Sequence, residues 1–302
     1  MAEEIYHIPA LLPEALEGLN IKPGGIYVDA TFGGGGHSRA IVELLSESGH
    51  LYAFDRDIEA LQNAPQDPRF TFVHSDFRYL SNFLRYYGAD HADGILADLG
   101  VSFHHFDDPK RGFSFRTDAP LDMRMNREGG RTAAELIGEY SKDDLERLLR
   151  AYTDLKRPGL IASAIVKRRD LSPILTTFDL VEAVKGAINP RQEKKDLAQV
   201  FQAIRIEVNG EMDALKALLG QALKVLAPGG RIAIITYHSI EDRMVKNFFR
   251  SGNIEGKIDQ DIYGNIRTPW RLITRSPIVP SDEEVERNPR SRSAKLRVAE
   301  LL

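Results

Sequence analysis

The run Asp29-Ala30-Thr31-Phe32-Gly33-Gly34-Gly35-Gly36-His37 holds the densest set of chemically useful residues in the chain. It lies between a short apolar run and a helical segment. Glycines there let the backbone turn sharply and approach a ligand, and a helix start offers N–H groups without intrahelical acceptors. Asp55 ends a second apolar run, twenty residues after Gly35. A carboxylate at such a strand end can accept hydrogen bonds from a ribose diol. Glycines and acid together describe a nucleotide-type site better than a plain connector with a surface aspartate.

Glycines and acid alone do not choose the nucleotide, and the pattern disfavours a nicotinamide dinucleotide. The fingerprint G-x-G-x-x-G needs a third glycine, and Ser38 stands in its place. Asp29 before the glycines, and Asp98 at the end of a fourth apolar run, suit a ligand with positive charge. S-adenosylmethionine, with a sulfonium and an ammonium group, needs carboxylates rather than a pyrophosphate cradle. Phe77, just after the third apolar run, is placed either to pack on an adenine or to fill the core. His104, His105, Asp107 and Asp108 crowd one loop. Ligands on a single loop rarely close a tetrahedral site, and methyl transfer from a sulfonium needs no Lewis acid, so no metal site is expected.

These residues need a parallel sheet to bring them together. Strand-like runs at Ile26–Ala30, Leu51–Asp55, Phe70–Val73 and Gly94–Asp98 alternate with helix-length segments, the pattern of βαβ units. From about Phe106 to Ala203 no strand pattern appears. Capping-box pairs Thr132/Glu135 and Ser141/Asp144 open helices there. Leu145, Leu148, Leu149 and Tyr152 follow with helical spacing. Pro158, Pro173 and Pro190 punctuate further helical pieces. The α/β texture then resumes: Asn209 is placed to cap a helix that Pro228-Gly229-Gly230 stops, Arg231–Tyr237 reads as a fifth strand, and Arg271–Thr274 and Leu296–Glu300 as two more. The expected organisation is an α/β domain in two parts, 1–105 and 203–302, around a helical block at 106–202.

Composition narrows the class further. With 40 basic against 44 acidic residues the net charge is −4, which argues against coating nucleic acid by bulk charge but allows local basic patches. Such patches occur at Lys167-Arg168-Arg169, at Lys194-Lys195, and in the acid-free run of Arg290, Arg292, Lys295 and Arg297. Alone they read as solvated faces; on an RNA enzyme they become candidate phosphate contacts. The absence of cysteine excludes disulfides, thiolate metal sites and a cysteine nucleophile. Neither a secretory signal nor an apolar run of membrane length is present, so a cytoplasmic protein is expected.

Several longer motifs carry a resemblance. Asp29-x-Thr-Phe-Gly-Gly-Gly-Gly-His37-Ser, Asp55-Arg-Asp57, Asp98-Leu-Gly-Val-Ser102, Arg111-Gly-Phe-Ser-Phe115, Pro120-Leu-Asp-Met-Arg-Met125, Phe201-Gln-Ala-Ile-Arg205-x-x-Val-Asn209, His238-Ser-Ile-Glu-Asp-Arg243 and Asn288-Pro-Arg-Ser-Arg-Ser293 resemble those of the bacterial 16S rRNA (cytosine-N4) methyltransferase family, RsmH or MraW. The resemblance spans about Tyr6 to Val298. It implies a class I, Rossmann-like S-adenosylmethionine-dependent methyltransferase sheet with an inserted all-helical domain, acting on the exocyclic N4 of a decoding-centre cytidine. By the same resemblance Gly35, Gly36 and His37 contact the methionine part of the cofactor, Asp55 holds the ribose and Phe77 lies at the adenine. Asp98 sits beside the reacting centre, as cofactor ligand and catalytic acceptor. The family usually continues Ser-x-Gln after Asp98-Leu-Gly-Val-Ser; here Phe103-His104-His105 places His105 where a glutamine commonly touches the cofactor. Arg124, with Met123 and Met125, belongs either to a base-entry wall or to the buried framework. The implied partner is 16S rRNA in the small subunit or a late assembly particle, with monomer and homodimer both open. The rival readings are a methyltransferase acting on DNA or protein, a nicotinamide-dependent oxidoreductase, and an inactive RNA-binding scaffold.

Overall fold

A computed structural model describes residues 9–100, 109–127, 129–264 and 266–302. His104, His105, Asp107 and Asp108 lie outside them. Tertiary contacts divide the chain into two compact units, Met1–Gly100 with Asp213–Leu302, and Val101–Met212.

The first unit is built on a seven-stranded sheet. Its strands are β1 (Ile26–Asp29), β2 (His50–Asp55), β3 (Phe70–His74), β4 (Ala92–Asp98), β5 (Leu226–Thr236), β6 (Trp270–Leu272) and β7 (Lys295–Leu301). Their order is β3-β2-β1-β4-β5-β7-β6, with β1 to β5 parallel and β7 antiparallel to both its neighbours. All seven strand-like runs of the sequence are strands. The middle of β4 and β5 is buried without alternation, as expected where both faces of a parallel sheet are covered. On one side, Leu11, Ala15 and Leu19, with Ile41 and Val42, pack against Leu96, Ile235 and Val298. These come from helices α1 (Leu12–Leu19) and α2 (Gly36–Leu44), Leu11 being the residue before α1. Helix α3 (Leu80–Tyr86) joins β3 to β4.

The helix read to stop at Pro228-Gly229-Gly230 ends at Val225, and the segment itself belongs to the sheet. Strand β5 starts at Leu226, opposite Ala92, and the register then jumps to Arg231 opposite Gly94. The Pro-Gly-Gly segment is absorbed as an irregularity there, with Gly229 at φ 79°.

Within the second unit the described elements are chiefly helices: α4 (Ala133–Glu139), α5 (Lys142–Tyr152), α6 (Pro158–Leu171), α7 (Thr177–Lys185) and α8 (Glu193–Asn209). Thr132 and Ser141 close the two expected capping boxes, and Thr176 with Asp179 closes a third. Leu145, Leu148 and Leu149 enter a core shared with Ile161, Leu180, Val200 and Phe201. The sequence-based boundary between 202 and 203 cuts through α8, a single hydrogen-bonded rod, so the helical run continues to Asn209. Helix α9 (Glu211–Val225) follows after Gly210, which takes the left-handed conformation at φ 57°. Two later helices, α10 (Ser239–Ser251) and α11 (Asp282–Arg287), complete the chain.

Asn209 was expected to begin α9 as its cap. Instead it ends α8, and its buried amide serves a different segment. Its Nδ2 donates to the carbonyls of Met123 (2.8 Å) and Arg205 (2.9 Å), and its Oδ1 accepts the Met125 N–H at 2.8 Å.

Candidate active site

Strand order places the site. Chain progression reverses between β1 and β4, and in open parallel sheets ligands bind beyond the carboxyl ends of the strands at such a switch point. Asp29, Asp55 and Asp98 end β1, β2 and β4, so they share that edge.

The glycine loop is strapped to both outer acids. On one side the Gly33 N–H donates to Asp55 Oδ2 at 2.8 Å. On the other the Asp98 N–H donates to Thr31 Oγ1 at 2.6 Å. Backbone hydrogen bonds from Ala30 to Leu96 O and from Phe32 to Phe54 O anchor the loop to β4 and β2, both at 2.8 Å. Gly35 holds φ 72°, and a Cβ there would meet the Phe32 ring at 2.9 Å, so this position requires glycine. Gly35 caps α2 without a side-chain hydrogen bond. The N–H groups of Gly36 and His37, in the first turn, have no carbonyl within the helix to bind.

Each acid has its own environment. Asp29 is buried and braces the loop: it accepts the Thr31 N–H (3.0 Å) and the Ser38 hydroxyl (2.7 Å). Burial raises its carboxyl above the usual range, against the hydrogen bond from Ser38, the neighbouring His37 ring and the hydrogen bond from Thr31. Asp55 is raised mainly by burial too, opposed by N–H bonds from Asp57 (2.8 Å) and Gly33. Those bonds use one lone pair on each oxygen and leave another on each for a ligand diol. Asp98 keeps 13 % of its side chain accessible, and its Oδ1 accepts the Gly100 N–H at 3.0 Å.

His37 turns its ring inward. Nε2 faces the Ala10 carbonyl at 3.1 Å, so that nitrogen carries the hydrogen, and Nδ1 lies 3.9 Å from Asp98 Oδ2. Phe77 follows β3, half-buried, in a short 3₁₀ turn capped by Asp76. Gly35, Gly36, His37, Asp55, Phe77 and Asp98 thus all sit at strand ends, in a turn or at a helix start along the carboxyl edge. His105 falls outside the described residues.

Some motif residues hold the framework. Met123 is fully buried at φ 60°, and Arg124 grips Asp122 through Nε (2.7 Å) and Nη2 (3.0 Å). Burial pushes the Asp122 carboxyl upward, but the Arg124 contacts outweigh it and hold it below the ordinary range. Arg205 is likewise forked onto Glu211, with both bonds at 2.9 Å. In the last patch Arg297 is buried and bound to Asp242 at 2.7 Å, and Lys295 lies 3.9 Å from the same carboxylate. A buried, paired guanidinium is not a phosphate contact, so that reading is withdrawn for Arg297. In the insertion patch Arg168 bonds Ser172 O at 2.8 Å and Arg169 bonds Tyr140 O at 2.6 Å. Lys167, Lys194, Lys195, Arg290 and Arg292 are exposed.

The sequence reading missed Tyr237, two residues beyond Ile235, which is level with Asp98 in the sheet. It also missed the strap formed by Thr31. Thr31 was visible inside the glycine motif; nothing in the sequence singles out Tyr237.

The donor set suits S-adenosylmethionine. Two carboxylates flank a glycine loop whose position 33 has open space beyond its backbone and whose following helix starts uncapped. Acids answer the cofactor's cations and its diol, and the helix N–H groups answer its carboxylate.

The sequence matches the profile of the MraW methylase family over residues 4–302. The chain belongs to that family. It is an S-adenosylmethionine-dependent methyltransferase. The methylase is 58% identical to "Ribosomal RNA small subunit methyltransferase H" of Phocaeicola vulgatus over 299 residues, covering 99% of this chain and 98% of that one. It is 57% identical to the protein of the same name from Porphyromonas gingivalis ATCC 33277, covering 99% and 97%. Among the described residues of the methylase, no helix is long and apolar enough to cross a membrane.

Proposed function

We propose that this methylase transfers a methyl group from S-adenosylmethionine to the exocyclic N4 of a decoding-centre cytidine in 16S rRNA, in the cytoplasm. The carrying observation is the glycine loop bound to Asp55 on one side and Asp98 on the other. The substrate class follows the names of the relatives.

The cofactor supplies an electrophilic methyl group. Cytosine N4 is a weak nucleophile because its lone pair is delocalised into the ring. The protein therefore has to extrude the base, align N4 with the methyl group and accept an N–H hydrogen. Gly35, Gly36 and His37 bind the methionine end at the start of α2. Asp55 holds the ribose, and Phe77 packs on the adenine. Asp98 accepts a hydrogen bond from N4 and stabilises the positive charge that develops there. Lys167, Lys194 and Lys195 of the helical unit contact RNA phosphates, and so do Arg290 and Arg292 near the C-terminus.

S-adenosylhomocysteine is expected to raise the melting temperature in proportion to the logarithm of its concentration once above its Kd, since it binds only the native state. NAD and NADP at matched concentration are expected to leave it unchanged. A shift with NAD alone would sink the cofactor assignment.

The substrate is tested by tritium transfer from labelled cofactor. Small ribosomal subunits, or a late assembly particle, are expected to accept methyl groups far better than a free oligonucleotide with the same cytidine. Digestion of the product should release N4-methylcytidine; label on protein, DNA or another nucleoside refutes the reading. The double substitution Arg290→Ala, Arg292→Ala is expected to weaken RNA binding and flatten its salt dependence, because each lost phosphate contact releases fewer counterions. Unchanged affinity and salt slope would remove the C-terminal arginines from the interface.

A further inference from the structure

Strands β4 and β5 run side by side, with Asp98 level with Ile235 and the Leu99 N–H bound to Ile235 O at 2.9 Å. The next residues, Gly100 and Tyr237, therefore leave the sheet together. A Cβ on Gly100 would lie 2.9 Å from Tyr237 Cε2, 3.0 Å from its Cζ and 3.0 Å from Asp98 Oδ1. Phenol ring and carboxylate thus both border the space that a side chain on this glycine would fill.

We propose that Tyr237 is a positioning residue for methyl transfer: its hydroxyl donates to Asp98 and, with the Gly100 N–H, fixes the carboxylate that meets the incoming amine. This rests on the acceptor role given to Asp98 above. Burial raises the phenol far above its ordinary range, followed by the charge of Asp98 and the hydrogen bond to it, with Glu241 and Glu284 adding. Tyr237 therefore stays protonated and remains a donor throughout. His37 and Asp29 face Asp98 from α2 and β1. The Tyr237 N–H is itself held by Glu241 Oε2 at 3.0 Å, which ties the phenol to the capped start of α10.

In the reaction the N4 lone pair forms the new bond to carbon, and the electron pair of the broken carbon–sulfur bond stays on sulfur. The N4 proton passes to Asp98. Tyr237 keeps its own proton and contributes orientation. A free carboxylate samples rotamers and water; one held by two donors presents a fixed lone pair.

The test compares the full-length wild type, Tyr237→Phe, Asp98→Asn and the double variant at saturating cofactor on small ribosomal subunits. Tyr237→Phe keeps the ring, and circular dichroism and cofactor affinity check its fold. Its kcat is expected to fall about ten- to a hundredfold, the scale of a hydrogen bond to a charged group. Affinity for S-adenosylhomocysteine stays within a few-fold. The acidic limb of kcat moves to higher pH, because a carboxylate that loses a donor ionises less readily. In the Asp98→Asn background the same change adds little.

A substrate-free readout stands beside these rates. In protein with ¹³Cζ-labelled tyrosine, the Tyr237 signal, assigned by its loss in Tyr237→Phe, is expected to shift in Asp98→Asn. An unmoved signal overturns the contact whatever the substrate is. A slow Asp98→Asn beside a Tyr237→Phe of normal kcat overturns Tyr237 alone. A fast Asp98→Asn instead refutes the acceptor role and the proposal with it. A Tyr237→Phe loss that is fully additive with Asp98→Asn and leaves the pH profile in place shows a structural role only.

Discussion

Asp98→Asn is expected to lower kcat by about 10²–10³, the loss seen when a single preorganised electrostatic group is removed. Cofactor affinity is expected to stay within a few-fold. Asparagine preserves the size of the side chain and an oxygen for the Gly100 N–H, but removes the negative charge proposed to answer charge building on N4. Asp55→Ala is the contrasting case. Asp55 closes the glycine loop through Gly33 and Asp57. On the proposed role it binds the ribose equally in ground and transition states, so its loss is expected mainly to raise the KM for cofactor. Titration calorimetry of S-adenosylhomocysteine into both variants, with steady-state rates on ribosomal subunits, separates the two tasks. If Asp98→Asn loses affinity as severely as Asp55→Ala, and saturating cofactor restores its rate, then Asp98 is a second cofactor ligand and not a catalytic group. The strap from Thr31 to the Asp98 N–H survives the substitution because it uses backbone.

Asn209→Ala carries the second large effect, on stability. Its amide accepts the Met125 N–H and donates to Met123 O and Arg205 O, all within the helical unit. Asn209 itself is 4% exposed, so water reaches the severed groups poorly. Leaving the Met125 N–H and the Met123 carbonyl without this partner costs about 1–3 kcal/mol each, hence about 2–6 kcal/mol together. The strained Met123, at φ 60°, loses the clamp that holds its left-handed backbone in place. The helical unit is expected to melt roughly 10 °C lower, on the usual scaling for a domain of its size. Amide exchange at Met125 should accelerate with it. The exposed Lys194→Ala serves as a control and should leave both unchanged. A melting shift of Asn209→Ala no larger than the control's would show that the segment 123–125 is held by other contacts.

Local pattern determined much of this protein. The apolar run Ile26–Ala30 and those that end in Asp55 and Asp98 became β1, β2 and β4, because a strand buried on both faces needs little beyond a short run of apolar residues bounded by turn formers. Thr132 with Glu135, and Ser141 with Asp144, capped the helices they were read to cap, since such a box closes within four residues. The glycine motif and the acids at strand ends were legible for the same reason: loop and acids each announce themselves within a few positions. Tertiary structure decided what depends on partners far along the chain. Asn209 has the composition of a cap, yet its amide is claimed by Met123 and Met125, more than eighty residues away. Arg297 sits in an acid-free run, yet finds Asp242 across the fold. Asp29, read as a ligand for a cation, lies buried and braces the glycine loop through Ser38 and Thr31. Tyr237 carried no signal at all. A tyrosine that follows an apolar strand is chemically unremarked until a parallel register sets Asp98 beside Ile235 and brings the phenol ring and the Asp98 carboxylate to the same glycine, Gly100.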